Sequence, residues 1–301
     1  MTKDIIFKGV GTALITPFKN SAIDYDSLGK IIDMQITHGI DALIIGGTTG
    51  EAATLSDIER YTLFEFAKEK VAGRVKLIFG TGTNDTKAAI RHTRKAAEIG
   101  CDGILVVTPY YNKGTRRGVT EHYLKISDVS EVPIILYNVP SRTGVDLSID
   151  QLKELSMRKN IVAIKEAGDS ADKYVKLAAL SDSLGLYAGN DSQIYSTLAL
   201  GGLGVISVLS NAVPLLAKEI CNSFFSGKSK EALSLQAQAL PLIDALFCET
   251  NPAPIKYAMS TLGLCDNLLR LPLAPVIESS QCYIKNALNE EHITAYLPYK
   301  K

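Results

Sequence analysis

Lys165 is the residue of this chain whose setting asks most plainly for chemistry. It closes the run Ile161-Val162-Ala163-Ile164-Lys165, whose apolar neighbours belong to a buried strand. Burial disfavours an ammonium and lowers its pKa, and a free amine attacks carbonyl carbon, which is what a Schiff-base lysine must do. A lysine paired with a carboxylate would be merely structural, and position alone leaves both readings open. Tyr137, in the run PIILYNV (133–139), offers a phenol as proton carrier for carbinolamine dehydration. As a plain core tyrosine it needs only a partner for its hydroxyl. Thr48 and Thr49, between Gly47 and Gly50, present hydroxyls and open N–H groups suited to a carboxylate, although such a loop also serves as a turn. Arg142 has the planar fork for a second carboxylate, or a place on the surface.

Other chemistries find less support. His38, His92, His122 and His292 are widely spaced and none falls at a strand end, so no metal-ligand spacing is present and a metal-dependent aldolase is disfavoured. His92 reads as a packing histidine on an apolar helix face. No GxGxxG follows the first strand and no GxxxxGK[ST] occurs, which weakens dinucleotide and P-loop alternatives. Gly201-Gly202-Leu203-Gly204 has the composition of a phosphate loop, but a tight helix-to-strand turn explains it more simply.

The elements that must position these groups recur along the chain. Short apolar runs begin at Gly9, Asp41, Lys76, Gly103, Pro133, Ile161, Leu186 and Gly204. Most are continuously hydrophobic, as parallel strands covered on both faces are. Between them lie helix signals. Ser56–Glu59 and Ser148–Gln151 are capping boxes, with Ile58, Tyr61, Phe64, Ala67 and Val71 following the first at helix-like spacing. Asp85 opens a helix whose inner face holds Ala89, His92, Ala96 and Ile99, ending at Gly100. Eight such units predict an α/β fold, a (β/α)₈ TIM barrel. After about residue 211 the pattern reads as helical to the end. The predicted organisation is a catalytic barrel over 1–225 and a C-terminal helical extension over 226–301. In such barrels the C-terminal strand ends carry function. Those ends are the places of Thr48, Thr49, Tyr137, Arg142 and Lys165, with Tyr137 on the strand next to that of Lys165.

Composition sets the outer bounds. The 301 residues carry 32 Lys and Arg against 32 Asp and Glu, so the formal net charge is zero. Without a basic block, nucleic-acid binding, which rests on phosphate neutralisation, is not expected. Cys101, Cys221, Cys248, Cys265 and Cys282 form no CxxC pair and are odd in number, as scattered thiols of a reducing compartment are. Charges at Lys3, Asp4 and Lys8 leave no room for a signal-peptide apolar stretch. Ser192–Ala217 holds no charge and has the length of a bilayer span, but five Gly, Asn and Pro residues break it into helix, strand and helix. The expectation is a cytoplasmic chain with no membrane partner.

The motifs GGTTGE, TPYYNK, YNVPSRTG, Lys165 in its strand and ETNPAPIKYA (249–258) together resemble the dihydrodipicolinate synthases. These belong to the pyruvate-dependent class I aldolases, which include N-acetylneuraminate lyase. The resemblance covers essentially the whole chain. It implies that Lys165 condenses with pyruvate and that the enamine attacks L-aspartate-4-semialdehyde, with no metal or organic cofactor. It matches Tyr137, Thr48 and Tyr111 to a proton relay, Tyr111 reaching in from a neighbouring subunit of a homotetramer built as a dimer of dimers. Thr48 and Thr49 match the loop that receives the pyruvate carboxylate, Arg142 the arginine that positions the aldehyde, and Gly189 and Ile206 the backbone lining the pyruvate pocket. The alternatives are N-acetylneuraminate lyase or another pyruvate-dependent 2-keto-3-deoxy sugar acid aldolase, and a catalytically silent metabolite-binding homologue. Arg142 with Tyr110-Tyr111-Asn112 favours the synthase. One departure concerns feedback: lysine-inhibited members carry a glutamate and histidines where this chain has Ala88, Asp57 and Arg60, while Asn84 and Tyr110 match. The implied enzyme is insensitive to lysine.

Overall fold

The structure, a computed structural model, describes residues 3–298; the ends of the two predicted ranges, 1–2 and 299–301, lie outside the described residues. Eight parallel strands close into a barrel: β1 Gly9–Ala13, β2 Ala42–Ile45, β3 Lys76–Gly80, β4 Gly103–Val107, β5 Ile134–Asn138, β6 Ile161–Glu166, β7 Gly185–Ala188 and β8 Gly204–Ser207. Each pairs with its neighbours in sequence, and β8 closes on β1 through Gly9↔Gly204. A helix follows every strand: α1 Tyr25–Thr37, α2 Asp57–Val71, α3 Thr86–Ile99, α4 Arg116–Val129, α5 Ile149–Ser156, α6 Ala171–Ala178, α7 Ile194–Ala199 and α8 Pro214–Phe225. This is the (β/α)₈ barrel that the spacing predicts.

Local signals start and stop these helices. Both predicted capping boxes form, at Ser56 with Glu59 and at Ser148 with Gln151. Asp85 caps α3, and Gly100 ends it in the left-handed conformation at φ 91°. The inner face of α2 differs from expectation. Its buried residues are Arg60, Leu63, Phe64, Ala67 and Val71, while Ile58 is exposed. At about 100° per residue, Ile58 lies some 120° around the helix from Phe64, off the buried stripe.

The core has two parts. Ala13, Ala42, Ile44, Ile78, Leu105, Ile135, Tyr137, Ala163, Tyr187 and Ile206 fill the barrel interior, and Phe7 plugs its lower end, stacked on Tyr187 at 4.4 Å. A second cluster lies between strands and helices and runs on into the C-terminal helices. The Gly201–Gly204 cluster is the predicted turn. Gly201 donates to the Leu198 carbonyl, and a Cβ on Gly204 would sit 1.8 Å from the Gly9 carbonyl oxygen, where the barrel closes.

Beyond α8 come α9 Ser229–Leu246, α10 Ala253–Thr261 and α11 Glu278–Leu288, then the short helix Glu291–Thr294. These are the expected C-terminal helices, and the stretch between α10 and α11, 262–277, is irregular and holds Pro272 and Pro275. Proline has no N–H to give an i−4 carbonyl, so it interrupts the ladder. Among the described residues no helix is long and apolar enough to cross a membrane.

Candidate active site

A register shift aims Lys165 into the barrel. Ile134 of β5 pairs with Ile161, but Ile135 pairs with Ala163, so Val162 is an extra residue in β6. Val162 and Ala163 both belong to the interior cluster, whereas Ile161 and Ile164 face the helices. Strict alternation from Ile161 would have turned Lys165 toward the helices; the bulge reverses the parity. Lys165 then stands in register between Tyr137 of β5 and Tyr187 of β7. Its residue is 4% exposed, and Nζ lies 4.2 Å from the ring centroid of Tyr137.

The carboxylate next in sequence points the other way. Glu166 accepts from Asn138 Nδ2 at 2.9 and 3.0 Å and from the Gly168 N–H at 2.7 Å, and it pairs with Lys173 Nζ at 3.1 Å. Its carbonyl accepts from Gly189 N at 2.6 Å and from the Tyr174 hydroxyl at 2.8 Å. The strand end carrying Lys165 is therefore pinned on both sides. Asp191, fully buried, accepts at Oδ2 from the N–H groups of Val208 and Leu209, each at 2.9 Å. Burial pushes its carboxyl up, opposed by the Ser207 hydroxyl, those N–H groups and the charge of Lys165.

Above the strand ends a cavity of about 480 Å³ is lined by Thr48, Tyr110, Tyr137, Arg142 and Asn251, among others. Thr48 sits in the turn after β2, where Gly50 N donates to Gly47 O at 3.1 Å and Glu51 N to Thr48 O at 3.0 Å. Thr49 is buried, and its Oγ1 accepts from Asn251 Nδ2 at 3.0 Å. Arg142, on the short helix Pro140–Thr143, is exposed and donates from Nη2 to the Asn251 carbonyl at 3.0 Å. Gly189 directly follows β7, and Ile206 is fully buried on β8 inside the barrel.

Tyr111 is not brought to this site. It is 89% exposed, with φ 70°, beside a bend in which Asn112 N donates to Tyr110 O at 2.9 Å. Tyr110 faces the cavity of its own chain.

The far end of the cavity is lined by Asp57, Arg60, Ala88, Arg91 and His92. Arg60 donates to the Gly80 and Ala52 carbonyls at 3.2 and 2.7 Å. Asp57 is held by Arg91, Oδ2 to Nη2 at 2.9 Å. His92 does find a packing partner, the Tyr61 hydroxyl at 3.0 Å from Nδ1. Burial first, and then the charge of Arg60, lowers its pKa to about 4.

The arrangement places an amine against a phenol at the end of β6, with hydroxyls and a guanidinium on the cavity wall. That is a set of groups for carbonyl addition to a substrate bearing carboxylates. Among the described residues no group of three or more His, Cys, Asp or Glu side chains is placed to hold a metal ion. Sequence reasoning missed Asn251 as a site residue. Its only local signal is the Asn-Pro step inside ETNPAPIKYA, which says turn rather than site.

The profile of the Dihydrodipicolinate synthetase family matches residues 6–291. A 4-hydroxy-tetrahydrodipicolinate synthase of Alkaliphilus oremlandii is 44% identical over 289 residues, covering 96% of this chain and 100% of that one. The crystal structure of dihydrodipicolinate synthase from Thermotoga maritima superposes with a TM-score of 0.94 at 39% identity, covering 96% and 100% of the two chains. A monomeric dihydrodipicolinate synthase variant gives the same TM-score at 40% identity, covering 96% and 98%.

Proposed function

The chain belongs to the dihydrodipicolinate synthetase family, and from that premise we propose that it is a 4-hydroxy-tetrahydrodipicolinate synthase. It is a Schiff-base lyase that joins pyruvate to L-aspartate-4-semialdehyde on the way to diaminopimelate and lysine. Lys165 adds through Nζ to the keto carbon of pyruvate, and loss of water leaves an imine. Removal of a methyl proton gives the enamine, whose carbon bonds to the aldehyde carbon while the aldehyde oxygen takes up a proton. The amine of the second substrate then adds to the imine carbon and expels Lys165, closing the ring. Tyr137, Thr48 and the partner subunit's Tyr111 carry protons between these steps. Thr48 and Thr49 receive the pyruvate carboxylate, the backbone of Gly189 and Ile206 lines the pocket around it, and Arg142 receives the carboxylate of the aldehyde.

The observation that carries this reading is a buried amine lying over a tyrosine ring at a strand end, beneath a cavity bounded by Thr48 and Arg142. Borohydride reduction with pyruvate should add mass to the peptide holding Lys165. Lys165→Ala should take up none and should lose roughly three or more orders of magnitude in turnover, with an unchanged circular-dichroism spectrum. A pyruvate adduct on another lysine would sink the reading. Turnover of aspartate semialdehyde but not of N-acetylneuraminate distinguishes the synthase from the lyases.

The working assembly is a homotetramer of two tight dimers. Residues 226–301 are treated as an extension of the 1–225 barrel, because one hydrophobic cluster joins Leu216 of α8, Leu242 of α9 and Ile255 of α10. We place the protein in the cytoplasm, where its free thiols, Cys248 and Cys282 exposed among them, stay reduced.

A further inference from the structure

Glu51 and Lys256 form an ion pair in which neither side chain has exposed surface. Glu51 Oε1 lies 2.5 Å from Lys256 Nζ, and Oε2 accepts the backbone N–H of Arg270 at 3.0 Å. Lys256 Nζ also donates to the Leu268 carbonyl at 2.8 Å and stands 4.0 Å from the ring centroid of Phe18. Such a pair is a poor source of stability, because apolar groups of the same volume often serve as well or better. What it can specify is position.

The position it specifies is that of the turn after β2. Glu51 has φ 55°, a left-handed conformation unfavourable for a residue with a Cβ, so something must hold it there. Its N–H donates to the Thr48 carbonyl, so fixing Glu51 fixes the turn that displays Thr48 and Thr49. Asn251 donates to Thr49 Oγ1 from the same C-terminal segment, five residues before Lys256. One stretch of chain thus grips the loop on both sides of Gly50. Arg142 is carried by a different element, the helix Pro140–Thr143, and meets this segment at the Asn251 carbonyl, five residues before Lys256.

We propose that the buried Glu51–Lys256 pair is a positioning device of the pyruvate site, holding the Thr48–Thr49 turn against α10 so that its hydroxyls and N–H groups meet the substrate carboxylate. The proposal rests on the Schiff-base reading above. The pair touches no reacting atom and acts through the turn. Its loss loosens pyruvate capture and leaves the second substrate nearly untouched.

The test uses the full-length protein with Glu51→Gln and with the double variant Glu51→Gln/Lys256→Met, which leaves no buried charge unpaired. The double variant should keep a thermal midpoint close to that of the unsubstituted protein, whereas Glu51→Gln, which leaves the Lys256 charge without its carboxylate, should lower it. The KM for pyruvate should rise about tenfold or more, and borohydride trapping should need correspondingly more pyruvate. At saturating pyruvate, kcat and the KM for aspartate semialdehyde should stay within about threefold. A purely structural pair would lower the midpoint without this split. Folded variants with an unchanged pyruvate KM, or with a loss confined to kcat, overturn the proposal. Should the double variant not fold, Glu51→Gln decides on the same readout. If the unsubstituted protein itself fails to trap pyruvate, the Schiff-base reading falls and takes the proposal with it.

Discussion

Arg142 spends one nitrogen on the Asn251 carbonyl and keeps the rest of its five-donor fork at the cavity wall. Removing it should therefore cost the second substrate and not the first. A hydrogen bond to a charged group is worth about 1.5–3 kcal/mol, roughly tenfold to a hundred-and-fiftyfold. Arg142→Ala should lower kcat/KM for aspartate semialdehyde within that range while pyruvate trapping on Lys165 changes little; equal losses in both half-reactions would count against the assignment. Charge balance at the far end of the same cavity bears on feedback. Arg60 and Arg91 line it, and the two carboxylates of the cavity are both engaged, Asp57 by Arg91 and Glu51 by Lys256. Ala88 brings no charge. An added ammonium there meets two cations and no free anion, so millimolar L-lysine should leave the initial rate at saturating pyruvate unchanged. Clear inhibition would contradict this.

The contacts between helices carry a pH dependence of their own. His92 of α3 packs against Tyr61 of α2, and His122 of α4 against Thr86 of α3. Burial, with Arg60 adding to it at His92, brings both pKa values down to about 4. In the unfolded chain a histidine titrates near 6.5. Below that pH the unfolded chain binds protons that the folded one refuses. Stability should thus fall as pH drops from about 6.5 toward about 4, and these two residues add no further loss below that. Glu59 acts in a lower window. Arg270 holds its carboxyl down to about 2, so the stability it contributes is present above the ordinary carboxylate range and lost as pH falls toward 2. Urea midpoints measured across pH should show the first decline, and His92→Gln/His122→Gln should flatten it while leaving the acidic window in place. A curve unchanged by that double substitution would refute the attribution.

At the scale of the molecule, Tyr111 is a large side chain turned away from its own barrel. A tyrosine that is 89% exposed in a left-handed conformation, which costs roughly 1–2 kcal/mol, gains little from its own barrel. Tyr110 lines the cavity and Tyr111 faces solvent, the left-handed residue and the bend beside it parting the two. Completion of the site by a second subunit predicts complementation between inactive chains. Mixing Tyr111→Phe with Lys165→Ala subunits should restore up to about a quarter of full activity, since half of randomly formed dimers are hybrids with one complete site each. No recovery after verified subunit exchange would mean that a single chain completes its own site.

Much of this protein is written in short stretches of sequence. The apolar runs, the capping boxes at Ser56 and Ser148, the Asp85 cap and the Gly100 stop all act through residues within a few positions of one another, so the repeating strand–helix order was legible from the sequence alone. Lys165 was legible for the same reason, as a charge closing the apolar run Ile161–Ile164. Its direction was not. The extra residue Val162 exists only as a mismatch between two paired strands, and it decides which face Lys165 takes. Asn251 reaches Thr49 across 202 residues of sequence, and Lys256 reaches Glu51 in the same way. No local pattern encodes such meetings, because they depend on where the whole barrel delivers its ends. Ile58 kept a helical spacing and still faced solvent, since burial is conferred by the surface an element packs against, and only the folded chain supplies that surface.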